Sequence, residues 1–166
     1  MVASRVFTVS MIDQTVVADE TLVIIHTASG ATTNGESIII LRCGVSQHGT
    51  ATSQELGIKI GTKASAFGTY TSTTPRPHIA GGAASGITGG TAGAAGTAGT
   101  DASAEGAGTF TDIFEEGFNN LNGYLWVPTP EERIIVPRDT AFAMKLHGTP
   151  TTLTNWHAFV TYAELN

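Results

Sequence analysis

The sequence predicts an all-β protein: an antiparallel β-sandwich, jelly-roll-like, carrying a long Gly/Ala/Thr-rich arm or loop. Three observations lead there. β-Branched residues crowd several short windows, which disfavours helix and suits a pleated, half-buried surface. Clusters of Gly, Asn and Ser separate the early windows at about 12–18-residue intervals, the rhythm of an antiparallel sandwich. Between an N-terminal and a C-terminal group of windows lies the stretch 80–109, in which only Ile87, Asp101 and Glu105 are not Gly, Ala, Ser or Thr. The 166 residues fit a single domain, 1–166, interrupted by an extended arm at about 80–109.

The expected strands follow in order. Arg5 to Met11 is β-rich with partial alternation, and Glu20 to Thr27 is bounded by Asp19 and by Ser29-Gly30. Ser37 to Val45 follows the turn signal Asn34-Gly35, and Glu55 to Ile60 alternates with period two. In the last third, Arg133 to Val136 ends at Pro137, and Thr140 to His147 resumes after a turn. Phe142, Met144 and Leu146 share one face of that strand, with Ala141, Ala143, Lys145 and His147 on the other. Leu153 to Leu165 is the final strand. Trp156, Ala158, Val160 and Tyr162 line one face, and His157, Phe159, Thr161 and Ala163 the other, so it reads as central and covered on both sides. Thr111 to Phe118 is open between a helical turn, capped by Asp112 and ended by Gly117, and a strand or loop.

The Gly-rich stretch lacks the large apolar residues that would bury a core of its own, so alone it is expected to be flexible. Ordering its backbone costs about 1–2 kcal/mol per residue. To be ordered it must lie against a neighbouring copy, another protein, or its own sheet in a tightly paired loop. Small side chains permit close backbone approach, which suits an interwoven contact. Gly81, Gly82, Ile87, Gly90, Gly96 and Asp101 are therefore candidate partner-binding residues, with Tyr124 and Trp126 beyond them. These two aromatics stand beside Pro128 and Pro130. Exposed, they would stack on a sugar ring; buried, they would anchor a long connection.

Charge narrows the function classes. Only 13% of residues are charged, against about a quarter in ordinary domains. A surface made polar by hydroxyls is cheaper to cover with a neighbour than one made polar by charges, which hints at assembly. The net charge is −6, and the eight Lys and Arg are scattered without a basic stripe. No nucleic acid partner is expected, because counterion release needs clustered cations. Apolar runs reach about four residues, far short of the roughly 20 that a membrane helix requires. No apolar stretch follows Arg5 before Asp13, so the expectation is no membrane association and folding in a cytoplasm. Cys43 is the only cysteine and reads as a small buried thiol.

No catalytic, cofactor-binding or metal-ligating motif emerges. The histidines His26, His48, His78, His147 and His157 form no His-X-His and no i, i+4 pair. Gly-X-Ser-X-Gly and Gly-X-X-X-X-Gly-Lys are absent, and so is a calcium loop. The acidic clusters Asp112, Glu115, Glu116 and Glu131, Glu132 read as solvated loop surface. The expectation is a structural protein, not an enzyme, with no cofactor.

Phe7-Thr8-Val9-Ser10-Met11-Ile12-Asp13 followed by Leu22-Val23-Ile24-Ile25-His26 resembles small virion proteins of tailed bacteriophages. The order Asn122-Gly123-Tyr124, Leu125-Trp126-Val127-Pro128, then Pro130-Glu131-Glu132-Arg133-Ile134-Ile135-Val136 resembles them too. The likeness covers both ends of the chain and not the Gly-rich stretch. It implies a jelly-roll or related sandwich on the phage head, of the kind found in decoration (cement) proteins. These are often homotrimers that bind the major capsid protein on the virion exterior. Other readings are a receptor- or carbohydrate-binding sandwich of a fibre or spike, and an unusual jelly-roll enzyme using His147 or His157 with Glu55. A major coat or tail-tube subunit fits less well, because a coat protein of the common type has a longer chain or a long helix.

Overall fold

The computed structural model describes residues 5–30, 37–49, 52–65, 67–91 and 93–165. The expected Asn34-Gly35 turn lies outside these. The described residues form twelve strands: β1 (Arg5–Gln14), β2 (Thr21–His26), β3 (Ser37–Gln47), β4 (Glu55–Lys63), β5 (Thr69–Ser72), β6 (Arg76–Pro77), β7 (Thr97–Ala104), β8 (Thr111–Asn119), β9 (Tyr124–Trp126), β10 (Ile135–Val136), β11 (Ala141–His147) and β12 (Trp156–Leu165). No helix among them is long and apolar enough to cross a membrane.

The strands build two antiparallel sheets. The first runs β10-β3-β12-β1-β6, with β9 sharing the β3 edge that β10 occupies; the second runs β5-β7-β2-β11-β4-β8. Without β5, β6 and β7, the order is β9/β10-β3-β12-β1 against β2-β11-β4-β8, the two interlocked Greek keys of a jelly roll. The alternation seen in the sequence sets the registers. Phe7 faces Tyr162, Val9 faces Val160 and Met11 faces Ala158 across β1 and β12, all pointing inward. From the second sheet, Leu22, Ile58, Phe142 and Met144 meet them in one core. Cys43 lies in that core, and burial pushes its thiol up to about 12.

The segment left open at 111–118 is strand β8. It closes the outer edge of β4, where a helix would leave a row of unpaired backbone groups. Lys59 on β4 also meets Asp112 and Glu115 of β8 at 3.5 and 3.6 Å.

The Gly-rich stretch takes a different course from an extended arm. Thr97–Ala104 is β7, hydrogen-bonded between β2 and β5 inside the second sheet. Ile87 is buried in the main core. The Ser85 hydroxyl donates to Glu164 Oε1 at 2.5 Å, and the Gly86 amide donates to the same oxygen at 2.8 Å. Arg5 holds the other Glu164 oxygen at 3.3 Å. The chain's own sheet is thus what the stretch lies against. Side-chain burial alone understates what orders it, since β7 gains a ladder on both edges. Its smallness is used directly: a Cβ on Gly99 would fall 2.1 Å from the Tyr70 ring.

Candidate functional site

The eight residues expected to bind a partner do not gather in one place. Gly81, Gly82 and Gly90 are exposed, whereas Ile87 and Gly96 are buried inside the chain's own fold. Asp101, at φ 56°, acts on Glu20 at the start of β2. Glu20 is buried, and its Oε2 accepts from the Val17 amide at 2.5 Å. Burial, then the neighbouring Asp101 carboxyl, pushes Glu20 up to about 8. Tyr124 and Trp126 are half-buried and turned toward the core, at 6.2 Å from the Phe118 ring and 5.4 Å from the Phe114 ring. Each ring is thus packed in part against the core, and Tyr124 also borders an open depression beside Phe159. His147 meets Glu115 at 3.2 Å, and Glu55 accepts from Asn119, so His147, His157 and Glu55 do not converge.

What the fold brings together instead is the outer face of the first sheet. Strand β12 is central there, as its pattern predicts, but it is not fully covered on both sides: His157 and Phe159 stay half-exposed. Gly44 of β3 lies opposite Phe159, and a Cβ on it would come 2.8 Å from that ring. The glycine lets the ring lie across β3. Arg42 sits over the ring, its guanidinium carbon 5.6 Å from the centroid, a cation–π contact. Two shallow depressions of about 330 Å³ each flank Phe159. Thr8, Ser10, Ile12 and His157 line one, Asn122, Tyr124 and Leu125 the other, and Arg42 and Ser46 border both.

Large apolar residues stand on this face and beside it. Leu125 is paired with Gly44, and Ile135 with Ile39, which places both on the outer side. Ile12, Leu125 and Ile135 are each 61% exposed, and Val127 just past β9 is 64% exposed. A sheet face with an aromatic ridge, several aliphatic side chains and two arginines, Arg42 and Arg76, has the make-up of a docking surface.

At one end of this face, three strand termini bring Asp13, His48 and His157 together. β1 is irregular between Met11 and Gln14, and Asp13 adopts φ 53°, so its carboxylate is aimed across at β12. Asp13 Oδ1 lies 2.5 Å from His48 Nε2 and 3.0 Å from His157 Nε2. The His48 hydrogen bond, first among several causes, holds Asp13 below the usual carboxylate range. Sequence reasoning missed this group because its members are 35 and 109 positions apart. No spacing rule signals it; only the pairing of β1 and β3 with β12 does. Comparison with family models, curated proteins and solved structures gives no match.

Proposed function

We propose that this protein is a head decoration (cement) protein of a tailed bacteriophage, seating the outer face of its first sheet on the major capsid protein. The observation that carries the reading is the row of exposed Ile12, Leu125 and Ile135 with half-exposed Phe159, on a sandwich whose other outer face carries a second core over β2, β7 and the start of β11 and charged side chains beyond it. The resemblance of both chain ends to small phage virion proteins supplies the identity of the partner. A standard interface removes about 800 Å² from each partner, close to a tenth of the 7816 Å² surface. Assembly as a homotrimer on the capsid exterior multiplies a modest contact by avidity.

The mechanism is stabilisation by binding. A head filled with DNA is under internal pressure, and copies bridging capsid subunits add buried area across the seams between them. The test is to mix the purified protein with expanded heads of its phage that lack it. Binding together with a raised capsid melting temperature is expected. Absence of both would sink the reading. Retention on a glycan array without capsid binding would move the protein to a fibre or spike.

A further inference from the structure

We propose that Asp13, His48 and His157 form a binding site for a divalent transition metal of the zinc class at the end of the first sheet. The donors are His48 Nε2, His157 Nε2 and an Asp13 carboxylate oxygen, all within 4.8 Å of one another. Zinc bonds of about 2.0–2.2 Å place tetrahedral ligand atoms roughly 3.3 Å apart. The separations of 2.5 and 3.0 Å from Asp13 Oδ1 to the two nitrogens are already near that. Small rotations of half-exposed side chains open them to the metal-bound distances.

Three features set this group apart from an ordinary surface ion pair. The two imidazoles share a single carboxylate oxygen, and their ring centroids are 4.7 Å apart at a tilt of 37°, so both rings point one edge at the same spot. His157 Nε2 is buried and makes no well-aligned hydrogen bond, although Asp13 is 3.0 Å away. A metal would give that nitrogen the directional partner it lacks. The framework is also built: the His48 amide donates to the Asn155 carbonyl at 3.2 Å, and Asn155 itself is held at φ 62°. Asp13 stands in the irregular turn of β1 opposite.

The donor set selects the metal. Two imidazoles with one carboxylate suit zinc, cobalt or nickel, whereas magnesium and calcium take oxygen ligands. Three protein ligands leave a fourth position, open to water because His48 and Asp13 are exposed. A bound ion would cross-link β1, β3 and β12, beside the depression that His157 lines. The site does not depend on the capsid reading.

The experiment uses the untagged full chain, stripped with chelator and titrated with zinc chloride by calorimetry at neutral pH. Cobalt absorption is recorded in parallel. One equivalent of zinc is expected to bind, with a tetrahedral cobalt spectrum. Loss of a partner outside the ligand shell typically weakens metal binding about 10–100-fold. His48→Ala and His157→Ala, which remove a ligand outright, are expected to weaken zinc at least tenfold, with unchanged circular dichroism. His147→Ala, which removes a histidine paired with Glu115 elsewhere, is expected to leave affinity unchanged. No saturable binding at millimolar zinc overturns the proposal. So does binding that survives both ligand substitutions, or that His147→Ala weakens equally.

Discussion

The two outer faces of this sandwich are finished differently. Over the second sheet, Phe67, Tyr70 and Phe110 lie on Ile24, Ala102, Ala141 and Ala143 and make a small second core. Phe67 is 1% exposed there, and the Lys63 ammonium sits 4.5 Å above its ring. Among the described residues the first sheet has no second core of this kind: Thr161 and Ala163 on its outer side are buried and His78 bonds Thr8, but Phe159 is flanked by open depressions, and Leu125 and Ile135 stand in solvent. The residues that close the second sheet come from the long excursion between β4 and β8. The difference teaches that this chain places the aromatic residues flanking its Gly-rich stretch on one face and leaves large apolar side chains in solvent on the other.

Removing the insertion should therefore have the largest effect. Deleting 81–108 takes away β7, which pairs with β2 along most of its length, and Ile87 from the main core. The expected result is loss of the cooperative thermal transition and of β circular dichroism. A deletion variant that still melts cooperatively would return the segment to the status of a detachable arm.

Phe67→Ala comes next. Truncating a buried phenylalanine costs about 3–5 kcal/mol, and chemical denaturation should show a loss of that order. A loss under about 1 kcal/mol would mean that the cover contributes surface area without packing.

The junction of β2 and β7 gives a pH effect of intermediate size. Glu20 is pushed up to about 8 in the folded protein, against 4.5 as its ordinary value. Between those values the folded state binds more protons than the unfolded state, so stability falls as pH rises. The contribution is fully present below about pH 4.5 and gone above about pH 8. Melting temperature should decline between pH 5 and pH 9 by an amount worth a few kcal/mol. Glu20→Gln should flatten that decline; an unchanged slope in the variant would assign it to other groups.

The smallest effect is expected on the bare face. Leu125→Ser and Ile135→Ser change side chains that are 61% exposed, so each should alter stability by no more than about 0.5 kcal/mol. A larger loss by denaturation would show that this face supports the fold rather than awaiting a partner.

Much of this architecture was legible in the sequence, for a physical reason. Period-two alternation in β1, β4 and β12 states which residues go inward, and a jelly roll is built from such strands. The same reading fails where alternation carries no contrast. Thr97–Ala104 is all small or polar, so nothing in it distinguishes a strand between β2 and β5 from a linker; the partner strands decide. Phe159 and His157 follow the pattern of a doubly covered strand, yet only the inner face of β12 is fully packed, because residue type does not say what lies above it. The Asp13, His48, His157 group is legible only in three dimensions. It depends on an irregularity in β1 and on the ends of two strands that are paired to the same neighbour.

The central claim is that the bare face of the first sheet is the capsid-binding face. The most direct measurement is sedimentation of the Leu125→Glu/Ile135→Glu double variant with expanded heads that lack the protein, beside the wild-type chain. The account predicts that the wild type co-sediments and raises the capsid melting temperature. It predicts that the variant, folded and as stable on its own, stays in the supernatant. A variant that binds as well as the wild type would contradict it.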